Sequence, residues 1–214
     1  MKYQAILFDM DGTLLDTLTD MQAAVNYILE KDGYPTRTLE EVRRFVGNGA
    51  GPLIHRALPQ GVDPDREAEI LADYRAYYQA HNCVETRPYD GIGPLLERLR
   101  QAAQRTAVVS NKPDRTTRTL AARFFPELDG AMGQREGIAS KPAPDMVRAA
   151  LDQLHAAPEE ALYVGDSEVD VATARNAGLD MIGVAWGFRG RAALEAAGAP
   201  LVADTPEQLL DMLQ

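Results

Sequence analysis

Cysteine occurs once in the 214 residues, as Cys83, so no disulfide can form within the chain. A lone thiol fits a reducing compartment, and the cytoplasm is the simplest expectation. No apolar run approaches the ~20 residues that a membrane-spanning helix needs. The amino terminus, MKYQAILFDMDG, shows neither the apolar stretch nor the small-residue cleavage site of a secretory signal. Basic residues are outnumbered: 22 Lys and Arg face 32 Asp and Glu, for a formal net charge of −10. That balance argues against nucleic acid and against an anionic membrane, since both require a basic face. A small anionic ligand stays open, because the overall field is largely screened beyond ~8 Å at physiological salt. Local cations would have to hold it. The three histidines, His55, His81 and His155, show no metal-ligand spacing. Internal repeats and low-complexity segments are absent.

What is present is enough for a core. Hydrophobic residues make up 45% of the chain and charged residues 25%, values ordinary for a globular protein. The length favours one large domain, or one domain carrying an insert. Apolar runs of strand length fall at Tyr3–Phe8, Thr106–Val109, Ala161–Val164, Met181–Ala185 and Pro200–Ala203. From the second run onward they alternate with helical patterns at Gly93–Ala103, Arg115–Phe125, Pro144–Leu154, Val169–Ala177 and Pro206–Leu213. Such alternation predicts an α/β protein with a Rossmann-like parallel sheet and helices on both faces. Near-continuous apolar strands fit burial on both sides.

Residues 16–82 break this rhythm. Leu18, Met21, Val25, Ile28 and Leu29 mark one face of a helix that Gly33 could end. Thr38 and Glu41 form a capping-box pattern, and Asp63-Pro64 starts a helix with Ile70, Leu71, Tyr74, Tyr77 and Tyr78 along one stripe. The tyrosines read as helix-bundle core. The expected organisation is an α/β core of residues 1–15 and 83–214, interrupted by an all-helical insert of residues 16–82.

In open α/β sheets, ligands bind outside the carboxyl ends of the strands. The residues that follow the runs are therefore informative. The first run is followed by Asp9 and Asp11, the second by Ser110-Asn111, the third by Gly165-Asp166-Ser167, and Ser140-Lys141-Pro142 precedes a helix. Residues i and i+2 of a strand share a face, so Asp9 and Asp11 start close together. Two nearby carboxylates repel unless a cation intervenes. With Asp166 added, a hard divalent ion such as Mg²⁺ suits the oxygen ligands. A solvated acidic rim or a set of helix caps would use the same residues, but their placement at matched strand ends favours a metal. Ser110, the Asn111 amide and Lys141 supply donors and charge suited to a phosphoryl group. Taken singly, Ser110 also reads as a turn hydroxyl and Lys141 as a surface lysine.

These residues resemble the four signatures of the haloacid dehalogenase superfamily, in family order. They are Asp9-Met10-Asp11-Gly12-Thr13 after an apolar strand, Val108-Val109-Ser110-Asn111, Lys141-Pro142, and the run from Gly165 to Asp170. The insert resembles the helical cap domain of that superfamily. The stretches VGNGA, SNKP, KPAPD, VGDSEVDVATARNAG and AWGFRG are similar to its bacterial phosphoglycolate phosphatases. The resemblance implies a phosphatase acting on a small phosphorylated metabolite. In it, Asp9 is the nucleophile and forms an aspartyl phosphate, and Asp11 is the general acid and then the base. Mg²⁺ is held by the Asp9 carboxylate, the Asp11 backbone carbonyl and Asp166. Asp170 acts through metal-bound water or by orienting Lys141, and Ser110, the Asn111 amide and Lys141 hold phosphoryl oxygens.

The cap is expected to select the leaving group through Gly47-Asn48-Gly49-Ala50, with Arg43 and Arg44 upstream; a plain interhelix turn beside a solvated basic pair is the competing reading. Trp186-Gly187-Phe188-Arg189 either borders the site or, at Trp186, packs in the core. Rival functions are a sugar-phosphate or nucleotide phosphatase or phosphomutase, a carbon–halogen hydrolase, and a non-catalytic sensor of a phosphorylated metabolite. Asp11 and Asp166 count against the halogen chemistry, and retention of both Asp9 and Asp11 counts against the sensor. Monomer and homodimer both stay open.

Overall fold

The computed structural model describes residues 2–214. Strands β1 (Ala5–Phe8) and β2 (Leu15–Asp16) lead into helices α1 (Leu18–Lys31), α2 (Leu39–Phe45), α3 (Ala50–Ala57) and α4 (Pro64–His81). The chain then runs through β3 (Arg87–Pro88), α5 (Ile92–Gln101), β4 (Arg105–Pro113), α6 (Asp114–Phe124), β5 (Gly130–Gln134), α7 (Asp145–Leu154) and β6 (Ala161–Gly165). It closes with α8 (Glu168–Ala177), β7 (Asp180–Val184), α9 (Arg191–Ala196), β8 (Val202–Ala203) and α10 (Pro206–Met212). Two compact units result: the residues up to Leu15 with Pro88–Gln214, and Asp16–Arg87. No helix among the described residues is long and apolar enough to cross a membrane.

The first unit is built on a six-stranded sheet of order β5-β4-β1-β6-β7-β8. Its neighbouring strands are all parallel. β1 pairs with β4 on one side, Phe8 opposite Val108, and with β6 on the other, Phe8 opposite Val164. Ala5 and Leu7 share one face and join a core cluster with Met146, Val147 and Ala150 of α7. Ile6 and Phe8 point to the other face and are equally inaccessible to solvent, so helices cover both faces, as the apolar runs predict. Full burial of each such large side chain is worth about 1.5–3 kcal/mol.

Two strands depart from the expected pattern. β4 continues to Pro113, beyond the apolar run that ends at Val109. β5, Gly-Ala-Met-Gly-Gln, lacks the branched and aromatic residues that announce a strand, yet it forms because the outer edge of β4 pairs with it. The ladder between them is irregular: Val109 lies opposite Met132, while Pro113 lies opposite Gln134. Three residues of β4, Ser110, Asn111 and Lys112, are thus accommodated against Gly133 alone. A Cβ on Gly133 would stand 2.6 Å from the Lys112 carbonyl oxygen and 2.5 Å from Asp114 Cα, so only glycine permits the bulge.

The second unit is helical. The Thr38–Glu41 capping box is formed, with Glu41 N donating to Thr38 Oγ1 and Thr38 N to Glu41 Oε2. Asp63 caps α4 with Pro64 in the first turn. Tyr74 and Tyr78 are buried, whereas Tyr77 stacks between Tyr27 and His81 at centroid distances of 3.9 and 4.0 Å. This unit runs on to Arg87. The reason is Asp20: its buried carboxylate accepts hydrogen bonds from the amides of Val84, Glu85 and Thr86 and from Thr86 Oγ1, at 2.8–3.0 Å. That nest ties the segment after α4 back to α1.

Candidate active site

The sheet order reverses at β1, which sits between β4 and β6, so the carboxyl ends of these three strands meet at the switch point of the fold. Asp9 follows β1 directly, its amide still donating to Val164 O of β6 at 2.8 Å. Gly12, with φ of +86°, turns the chain back, and its amide donates to Leu15 O at 2.9 Å. Asp11 lies within that turn. Ser110, Asn111 and Lys112 come from the irregular end of β4. Asp166 follows β6, and Asp170 sits in the first turn of α8.

Buried ion pairs join these segments. Lys141 Nζ lies 2.8 Å from Asp9 Oδ1 and 2.8 Å from Asp170 Oδ1, and it donates to Tyr163 Oη at 3.0 Å. Lys112 Nζ lies 3.1 Å from Asp11 Oδ1. Both lysine side chains are almost wholly buried. Asp170 uses its second oxygen to accept from Ser167 N and Oγ, closing a capping box on α8. Asn111 Nδ2 donates to Lys141 O at 3.0 Å, which anchors the loop that carries the lysine. Ser110 is buried, and its Oγ accepts from Lys112 N at 3.2 Å.

Glycines make room for the acids. A Cβ on Gly12 would stand 2.4 Å from Asp166 Oδ2, and one on Gly165 would stand 2.4 Å from Asp170 Cβ. Gly187 is tighter still, with 2.3 Å to Asp166 Cβ and 2.3 Å to Gly12 O. Its neighbour Phe188 donates from N to Asp166 Oδ2 at 2.7 Å, and Trp186 Nε1 donates to Thr13 O at 2.9 Å. The segment Trp186–Arg189 therefore borders the site and braces both aspartate loops.

Residues 6–184 match the family model described as haloacid dehalogenase-like hydrolase. The chain belongs to the haloacid dehalogenase-like hydrolase family. A phosphoglycolate phosphatase of Pseudomonas putida is 33% identical over 98% of this chain and 76% of its own length. The N-acetylmuramic acid 6-phosphate phosphatase of Pseudomonas aeruginosa is 32% identical over 100% of this chain and 96% of its own. Among solved structures, a candidate phosphoglycolate phosphatase from Lactobacillus delbrueckii subsp. bulgaricus superposes with a TM-score of 0.95 at 36% identity. That match covers 100% of this chain and 99% of the other. The chain is an enzyme of this hydrolase family, among its phosphoric monoester hydrolases.

The donor set of this hydrolase suits a hard divalent cation. Asp9, Asp166 and Asp170 each offer a carboxylate oxygen, and the three atoms lie within 4.8 Å of one another. Lys141 meets Asp9 and Asp170 and Lys112 meets Asp11; counted with Asp166, the four carboxylates exceed these two lysines by two formal negative charges, the amount one divalent cation neutralises. The proton affinities reflect the excess. Burial pushes the Asp9 carboxyl up to about 7, with Lys141 opposing the shift and Asp170 and Asp11 adding to it. Burial, then Asp170 and Asp9, hold Asp166 well above the ordinary carboxylate range. Burial works against the charge on Lys141, but Asp170 and Asp9 prevail and keep it firmly protonated. Asp170 is committed at both oxygens to Lys141, Tyr163 and Ser167, so Asp9 and Asp166 are the better-placed side-chain ligands.

The residues expected to select substrate lie in the helical unit. Gly47 and Gly49 have φ of +129° and +85°, and Gly49 precedes α3. Asn48 Oδ1 accepts from Arg56 Nη2 at 3.3 Å, and Arg43 lies 3.7 Å from Glu40. Sequence reasoning passed over two site residues. Tyr163 joins Lys141 and Asp170 from within β6; a phenol in an otherwise apolar strand was the available signal, since a buried hydroxyl needs a partner. Lys112 stands beyond the apolar run, where a lysine is by default solvated.

Proposed function

We propose that the protein is a Mg²⁺-dependent phosphatase that hydrolyses a small phosphate monoester, 2-phosphoglycolate foremost, through an aspartyl phosphate on Asp9. The observation that carries this reading is the convergence of Asp9, Asp11, Asp166, Asp170, Lys141 and the end of β4 on one buried cluster. Asp9 attacks phosphorus while Asp11 delivers a proton to the leaving oxygen. Asp11 then removes a proton from the water that cleaves the acyl phosphate. Lys141, Ser110 and the Asn111 amide hold the phosphoryl oxygens, and Asp170 and Tyr163 hold Lys141. Asp9, Asp166 and the Asp11 carbonyl would hold Mg²⁺, whose positive charge would favour ionised Asp9 and stabilise the transferring group. In the helical unit, Gly47, Asn48, Gly49 and Arg43 select the leaving group. A single cysteine and an acidic surface suit work in the cytoplasm on a free metabolite.

A sugar phosphate is the second reading, favoured by the full-length similarity to the N-acetylmuramic acid 6-phosphate phosphatase. Release of inorganic phosphate from a panel of monoesters, with Mg²⁺ and with chelator, tests both. Highest kcat/KM for 2-phosphoglycolate, abolished by chelation, is expected. A preference for a sugar phosphate rejects the narrower claim, and equal turnover in chelator rejects the metal. Retention of phosphoryl on Asp9 for return to product would mark a mutase instead.

A further inference from the structure

We infer that Lys112 is a positioning residue for this reaction: its buried ammonium holds the Asp11 carboxylate where it can exchange a proton with the leaving oxygen. The inference rests on the proposed acid–base role of Asp11. The two lysines of the site divide the work. Lys141 meets Asp9 and Asp170, while Lys112 meets Asp11 at 3.1 Å with only 3% of its side chain exposed. The fold places Lys112 there deliberately at the backbone level. Its amide donates to Ser110 Oγ at 3.2 Å, and its carbonyl accepts from Thr117 Oγ1 at 3.2 Å. Gly133 admits that carbonyl to a place where a Cβ would collide with it. The extra residues of β4 thus serve to deliver a charge as well as Ser110.

An aspartate has two side-chain torsions and several open rotamers, and proton transfer requires a heavy-atom separation of roughly 2.6–3.2 Å. A fixed cation 3.1 Å from Oδ1 selects among those rotamers.

The test compares kcat/KM of Lys112→Met with that of the unmodified protein on three substrates in Mg²⁺. Two are alkyl esters, 2-phosphoglycolate and 2-hydroxyethyl phosphate, whose alkoxides need a proton to leave. The third is 4-nitrophenyl phosphate, whose phenolate leaves without one. Both alkyl esters are expected to lose about 100-fold or more and the aryl ester less than about 10-fold, in line with the usual worth of acid catalysis. Partial unfolding lowers all three equally, so the ratio isolates Asp11. Equal losses, or none, overturn the inference. A loss confined to 2-phosphoglycolate also overturns it, by assigning Lys112 to the substrate carboxylate. Asp11→Asn is the reference. If it fails to separate alkyl from aryl esters, the acid role of Asp11 falls, and this inference with it. If it separates them and Lys112→Met does not, only the present inference falls.

Discussion

Lys141 and Asp170 form a buried pair, Nζ to Oδ1 at 2.8 Å, and the same ammonium reaches Asp9 at 2.8 Å. Asp170 thereby sets the position of a cation that faces Asp9, while its other oxygen caps α8 through Ser167. Asp170→Asn keeps the shape and removes the charge. Its kcat/KM is expected to fall about 10–100-fold, the range typical of residues that orient a ligand or metal partner. Asp170→Ala removes the cap as well and leaves Lys141 short of a counter-charge, so it is expected to cost about 3–5 kcal/mol of stability. Steady-state kinetics and urea denaturation read the two effects. An alanine variant as stable and active as the parent would remove Asp170 from the site.

Asp9 gives a pH signature. Its folded-state pKa is raised to about 7 from an ordinary 3.8, so between those values the folded protein binds more protons than the unfolded chain. Stability from this group therefore falls as pH rises from about 4 to about 7. In chelator, the melting temperature of the parent minus that of Asp9→Asn is expected to decrease over that interval. Saturating Mg²⁺ favours the carboxylate and should flatten the difference. Asp9→Asn itself should fold and lose turnover by about 10³-fold or more. A difference that grows with pH in chelator would contradict the burial of Asp9 as described.

Asp20 governs the helical unit. Four donors converge on its carboxylate, and truncation strands three consecutive amides. Asp20→Ala is expected to lower stability by about 2–4 kcal/mol, since a buried donor without a partner costs about 1–3 kcal/mol and some of these regain water. Circular dichroism during urea denaturation measures it. A change under about 0.5 kcal/mol, the range of ordinary surface substitutions, would show that the nest does not hold the segment.

The alternation of apolar runs and helical patterns made the sheet and its flanking helices legible, and strand-end reasoning brought Asp9, Asp11, Asp166 and Lys141 to one edge. Those signals are local. β5 was not legible because Gly130–Gln134 has no strand character of its own and depends on the edge of β4. Lys112 was hidden for the same reason: it is in the site only because β4 runs on past Val109 and bulges at Gly133. The tie that holds residues 84–86 to α1 was not legible either, because Asp20, 64–66 positions upstream, captures backbone amides that carry no sequence signature.

Gly187 gives the sharpest steric test. It follows β7 and lies where a Cβ would be 2.3 Å from both Asp166 Cβ and Gly12 O, a contact with one expected metal ligand and with the turn that carries Asp11. Neither neighbour is the far end of a flexible chain, so Gly187→Ala must displace one of the two aspartate loops. Overpacking of this kind costs about 1–3 kcal/mol, and the displacement should weaken Mg²⁺ binding, measured by calorimetry, as well as kcat. Gly93→Ala is the matched control. Gly93 lies in α5 with nothing within 4 Å of an added Cβ and no positive φ, so alanine there is expected to leave Mg²⁺ binding unchanged and to stabilise by about 0.4–1 kcal/mol. Unaltered metal affinity in Gly187→Ala, with the control behaving as stated, would show that Asp166 does not need this close brace.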